Sequence, residues 1–424
     1  MKANMCSSKL VSMVLAISMC AASVAFSATT AAWGGGSGSW VNGFEWAGGA
    51  APNVGVDDTA VISGGYVEYV AGDDFIVNGA INMTGGVFEQ TGGVSWMHIG
   101  NAAGAVGVVS VANAVFNMGT SGRNRFGIAD RTAEGRLNVS GNGSIISPGE
   151  LLLQNGFVTL NDFAKLDGST LTLENGAFNA KGASEAMFSG NLNIIGQYSS
   201  LTVADNASVT GLAVTVNGGT LAVSENARLD CATFGVSYAG TVARISGGFI
   251  DVTGIEAPVI KDCRFIMTGG ELRTNNKTIT FGSVESAWEH PPALRGGIID
   301  AGSGELKFHS SCMISGTDIY AKILSMDNVD NVALTLNSGS VTLEYDAQHF
   351  GFWAGGQDSY ISFVSGGAGH VVMRGATKTD VINNLLSSKI RFDGAVSPHS
   401  FILTETSEGV EISVPPAATL ISIL

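Results

Sequence analysis

The densest group of ionisable residues in this 424-residue chain is Asp300-Ala-Gly-Ser-Gly-Glu305-Leu-Lys307-Phe-His309. Read as a strand, Glu305–His309 puts Glu305, Lys307 and His309 on one face and Leu306 and Phe308 on the other. A carboxylate, an ammonium and an imidazole in a row are the parts needed to abstract a proton beside a carboxylated sugar, the chemistry of a polysaccharide lyase or hydrolase. Any half-exposed strand shows the same alternation, with polar residues toward water, and this blander reading is the one we favour. Trp33, Trp40 and Trp46 form the second group. Their rings suit sugar faces in a carbohydrate-binding surface, and they suit equally the covering of an open core end; we favour the cover.

Other chemistry is excluded by spacing. The six histidines, at 98, 290, 309, 349, 370 and 399, form neither His-x-x-x-His nor His-Glu-x-x-His. Asp57-Asp58 and Asp73-Asp74 belong to no EF-hand loop and to no Gly-Gly-x-Gly-x-Asp repeat, so neither a metal nor a cofactor is expected. Gly34-Gly-Gly-Ser-Gly38 is not followed by Gly-Lys-Ser/Thr and is no phosphate loop. The expectation is a protein that is not an enzyme.

The elements that position these residues are set by two recurring patterns. One is a glycine pair after a small polar residue: Ile62-Ser-Gly-Gly65, Met83-Thr-Gly-Gly86, Val216-Asn-Gly-Gly219, Ile245-Ser-Gly-Gly248 and Met267-Thr-Gly-Gly270. The other is a strand-turn-strand nonapeptide, Leu137–Ile145, Leu201–Val209 and Leu221–Leu229, with looser copies at Val109–Phe116 and Val158–Leu166. Irregular repeats every ~20–30 residues are the mark of a solenoid. Within Leu201-Thr-Val203 the alternation sends Leu and Val inward and Thr outward. So short a strand buries little alone, and a neighbour ~4.8 Å away satisfies its backbone and hides its apolar side chains. The fold expected is all-β, a right-handed parallel β-helix, because parallel crossovers strongly favour that hand.

Composition agrees. Glycine supplies 58 of 424 residues, charged residues only 13% and apolar residues 45%, which disfavours both disorder and a helical protein. Lys2, Lys9 and the apolar Leu10–Phe26 read as a secretory leader cut before Ala28. Losing its two lysines takes the formal charge from −15 to −17, so nucleic acid is excluded as a partner. Three cysteines remain, Cys231, Cys263 and Cys312. We read them as buried small residues, with a Cys231–Cys263 bridge as the alternative.

The domain plan is then a signal peptide over 1–27, an N-terminal cap over 28–60, solenoid repeats over 61–345, a β-rich C-terminal region over 346–413 and a short tail over 414–424. In the C-terminal region Lys378–Ser388 has helical spacing, with Val381, Ile382, Leu385 and Leu386 on one face. Ser365-Gly366-Gly367 reads as a hairpin signal of a small antiparallel cap. The tail is too short to cross a bilayer, so no stable transmembrane anchor is expected.

The opening, with its tryptophans, Pro52 and Asp57-Asp58-Thr-Ala-Val-Ile62, resembles secreted bacterial β-solenoid proteins with autotransporter-associated β-strand repeats. The segments Tyr360-Ile-Ser-Phe363 and Ile390-Arg-Phe-Asp-Gly394 are similar to the ends of PEP-CTERM-sorted exported proteins, and Val414-Pro-Pro-Ala-Ala-Thr419 resembles their sorting motif. It departs from that motif at Pro416, where a glutamate is usual, and no spanning helix or basic cluster follows. The resemblance implies a secreted or outer-surface protein of structural or adhesive role, with extracellular polysaccharide or neighbouring surface proteins as partners.

Overall fold

The structure is a computed structural model and describes residues 28–70, 74–92, 96–118, 123–127, 132–282, 291–326, 332–346, 351–352, 360–397 and 400–415. The leader, Asp73, Pro416 and the rest of the tail, and histidines 290, 349 and 399 lie outside the described residues.

The chain winds as a β-solenoid of three parallel sheets. In the first sheet each strand pairs with one a full coil later, from Phe157 with Ala177, 20 residues on, to Thr30 with Thr59, 29 residues on. Among the described residues sixteen strands stack this way, from Thr30–Ala32 to Ile390–Phe392. At ~4.8 Å per rung this makes a stack about 70 Å long. The second sheet runs from Ser37–Ser39 to the latter half of Tyr360–Arg374. The third begins at Phe75–Val77 and reaches Ile323–Met326.

Alternation decides what lies inside. Leu137, Val139, Leu201, Val203, Leu221 and Val223 are all buried, while Asn138, Thr202 and Ala222 between them face out. Like residues meet on adjacent rungs: Phe88 stacks on Phe116 with ring centres 4.7 Å apart, and Phe281 on Phe308 at 5.2 Å. The resulting core is one continuous column.

Both sequence patterns make the same corner. All five strand-turn-strand copies, and four of the five glycine pairs, join a first-sheet strand to the second-sheet strand that follows it; only Val216–Gly219 joins the third sheet to the first. In the wide corners Asn113, Asp162, Asp205 and Glu225 hold φ between 53° and 60°. Their side chains bond the stack together: the N–H of Gly182 donates to Asp205 Oδ2 at 2.8 Å, and that of Asn142 to Asn113 Oδ1 at 2.9 Å. In the narrow corners one glycine sits directly on another. Gly86, at φ +80°, lies so close that a Cβ there would come within 2.6 Å of the Gly65 carbonyl oxygen.

The solenoid reaches further at each end than the expected boundaries. Thr30–Ala32 already belongs to the stack. At the other end Ser365-Gly366-Gly367 is no hairpin. Tyr360–Arg374 bends there from the first sheet into the second and stays parallel to Ala333–Glu344 throughout, because Leu336 over Phe363 and Val341 over Val371 continue the apolar rows. The antiparallel cap is confined to Ile402–Glu405 and Gly409–Ser413, which fold onto the last rung. The helical segment starts at Thr377 with a capping box, then widens over Val381–Leu385 so that the N–H of Leu386 reaches the carbonyl of Val381. That five-residue step buries Val381, Leu385 and Leu386 and turns Ile382 out to solvent.

Candidate functional site

Outward-facing residues of the first sheet form a row with one chemical character. Asn82, Ser110, Asn138, Thr159, Asn179 and Thr202 lie on six consecutive rungs in direct register. All six are half-buried or exposed, and among the described residues none makes a side-chain hydrogen bond to another protein group. At the rung spacing they cover about 24 Å. Beside the row, two residues upstream on each strand, run Val108, Arg136, the exposed Phe157 and Ala177. Arg136 is ion-paired with Glu134. The surface therefore offers uncharged donors and acceptors with a fixed repeat, next to apolar area.

The second sheet presents a different, charged outer face. On its later rungs Arg228 pairs with Asp230 at 2.7 Å and Asp251 at 3.0 Å, while Arg273 pairs with Glu271 at 2.6 Å and approaches Asp300 to 3.8 Å. Beyond Asp300 the face opens into a cleft of about 290 Å³ lined by Asp300, Tyr320, Thr342, Glu344 and Arg374. Three of these stack rung on rung, Asp300 against Tyr320 and Tyr320 against Thr342. Asp300 accepts from the N–H of Gly302 at 2.8 Å, and Arg374 Nε donates to Glu408 at 3.0 Å. Tyr320, Thr342 and Glu344 make no side-chain hydrogen bond among the described residues, although Thr342 is only 6% exposed.

The strand Glu305–Phe308 lies in the third sheet. Leu306 and Phe308 enter the core, and Glu305, Lys307 and His309 are half-buried on the outer side. The rung neighbours of Lys307 are Thr280 and Ser325, and Glu305 stands over Ile323. Of the ionisable residues in the 300–309 stretch Asp300 lines the cleft, with Gly302 beside it. Its partners there come from rungs about twenty residues apart, a spacing that becomes visible only once the coil length is known.

The tryptophans belong to the cap. Trp33, Trp40 and Trp46 are each at most 4% exposed and meet edge to face, Trp33 with Trp46 at 5.2 Å and Trp40 with Trp46 at 4.9 Å. Trp40 also rests against Phe75 and Phe88 of the core, and Trp46 Nε1 donates to the Trp40 carbonyl at 2.9 Å. Their faces are not open to a sugar. Asp58 serves the same end of the molecule. It accepts from the N–H and hydroxyl of Thr29 and from the N–H of Asn53, bonds that hold its carboxyl below the usual carboxylate range.

Cys231, Cys263 and Cys312 are buried free thiols, so no Cys231–Cys263 bridge forms; burial pushes each up to about 12. A cluster that sequence reasoning missed surrounds His98. Asp74 accepts from the Trp96 N–H at 2.9 Å and lies 3.1 Å from His98 Nε2, while the Arg125 guanidinium lies over the Trp96 ring at 5.2 Å. Burial lowers the His98 pKa, Asp74 opposes the shift and Arg125 adds to it. Among the described residues no group of three His, Cys, Asp or Glu could hold a metal ion.

The chain matches no family model, no curated protein and no solved structure.

Proposed function

We propose that the protein is a secreted or cell-surface structural solenoid with an adhesive role, not an enzyme, that associates with extracellular polysaccharide or with neighbouring surface proteins. The observation that carries this reading is the uncharged row from Asn82 to Thr202, whose side chains face outward with no protein partner. A rigid stack fixes their spacing in advance, so a regular partner meets many weak contacts at once without ordering any of them. The leader and the tail resembling a sorting motif supply the route to the surface in this proposal.

The test is cell fractionation of the producing organism. Protein beginning at Ala28 is expected in the surface fraction, and the triple variant Asn138→Ala, Thr159→Ala, Asn179→Ala is expected to appear several-fold more in the medium. Retention of the leader inside the cell, or equal surface retention of the variant, overturns the reading.

A second reading, a polysaccharide lyase or hydrolase, is favoured by Asp300 lying in the cleft. Cleavage of acidic polysaccharides by the wild type but not by Asp300→Asn would establish that enzyme; no cleavage of any of them counts against it.

A further inference from the structure

We infer that the cleft on the second sheet is a binding site for a neutral, hydroxyl-rich saccharide unit. The inference deepens the polysaccharide partner proposed above by assigning it a second contact, distinct from the Asn/Ser/Thr row. A hydroxyl held at a cleft wall without a protein partner is free to bond a ligand. Thr342 has one: the residue is only 6% exposed, lines the cleft and makes no side-chain hydrogen bond among the described residues, and its oxygen is not sealed from the cleft. Tyr320 and Glu344 line the same cleft with no side-chain partner among the described residues, and Asp300 and Arg374 each have bonding capacity beyond the hydrogen bonds made to Gly302 and Glu408 and the Arg273 contact with Asp300.

The five side chains offer both kinds of hydrogen bond. Asp300 and Glu344 accept only, Arg374 donates only, and the hydroxyls of Tyr320 and Thr342 do either. A ligand that satisfies them all must donate and accept within one small volume, as vicinal hydroxyls on a pyranose ring do. Tyr320 adds an aromatic face for the apolar side of that ring. Asp300, Glu344 and the Glu408 paired with Arg374 outnumber Arg374 and the Arg273 that approaches Asp300, which disfavours a uronic acid or a phosphate, and so does the overall charge of −15. The volume of about 290 Å³ suits one sugar unit of a chain that continues along the face past Arg273 and Asp251.

Calorimetric titration of the purified full chain with neutral oligosaccharides, such as cello-, xylo- and manno-oligomers, tests this directly. At least one is expected to bind saturably, with Thr342→Val and Glu344→Gln each weakening it ~10-fold or more and oligogalacturonate binding more weakly than the neutral ligand. Both changes are nearly isosteric, and an unchanged β-sheet circular dichroism spectrum shows that the fold persists. Absence of binding by every neutral oligomer, affinity unaltered in both variants, or tighter binding of a basic peptide overturns the inference. None of these outcomes bears on surface retention through Asn138, Thr159 and Asn179, so the two proposals fail separately.

Discussion

His98 shows how one side chain sets a response of the whole chain. Its imidazole is buried against Asp74, and burial outweighs the attraction of that carboxylate, leaving the pKa below its ordinary value. The folded state therefore prefers the neutral ring, while the unfolded chain takes up a proton below about pH 6.5. In that window the unfolded state binds more protons, so stability rises with pH and is lost as pH falls through it. Urea midpoints are expected to be flat between about pH 6.5 and 8 and to fall toward pH 5. His98→Gln keeps a donor for Asp74 and removes the titration, so its midpoint should fall less over the same range. Equal slopes in the two proteins would show that His98 is not the group responsible.

At the scale of elements, the corners decide where each coil turns. Gly64 and Gly65 are adjacent and look equivalent in the sequence, yet a Cβ on Gly64 meets nothing within 4 Å, whereas one on Gly65 would lie 2.2 Å from the Gly36 carbonyl oxygen at φ +79°. Gly65→Ala should cost about 1–3 kcal/mol or more and Gly64→Ala less than about 0.5, measured by denaturant unfolding; equal costs would mean that the corner relaxes freely. Much of this level was legible beforehand. The in-out alternation of Leu201-Thr-Val203, the turn at Asp205 and the parallel stacking follow from residue type and period, because those are local properties. Two things were not. The identity of the narrow and wide corners depends on which strands stack, and the continuation of the solenoid through Tyr360–Arg374 depends on the apolar rows of the rung beneath. The cleft was hidden for the same reason, since Asp300, Tyr320 and Thr342 become neighbours only through register.

For the molecule as a whole, a stack of parallel rungs has two open ends, and each is a template for another chain. The first rungs are short, three residues in Thr30–Ala32 and in Ser37–Ser39, and the tryptophan cluster closes the core above them. At the far end the antiparallel pair does this work. Val410 and Ile412 are fully buried opposite Met373 and Val371, and the pairing uses the backbone groups of His370–Arg374. On that sheet what remains is the edge of Ile402–Glu405, four residues long and carrying a glutamate. Placing a charge in the apolar seat, as in Ile412→Asp, makes docking of the pair unfavourable by several kcal/mol while leaving the rungs below intact, because each rung depends on its nearest neighbours. The variant should keep its β-sheet circular dichroism yet form larger species with rising concentration in light scattering, as uncovered edges of the last rung pair between molecules. A variant that stays the same size as the wild type at every concentration would mean that the last rung is protected by something other than this pair.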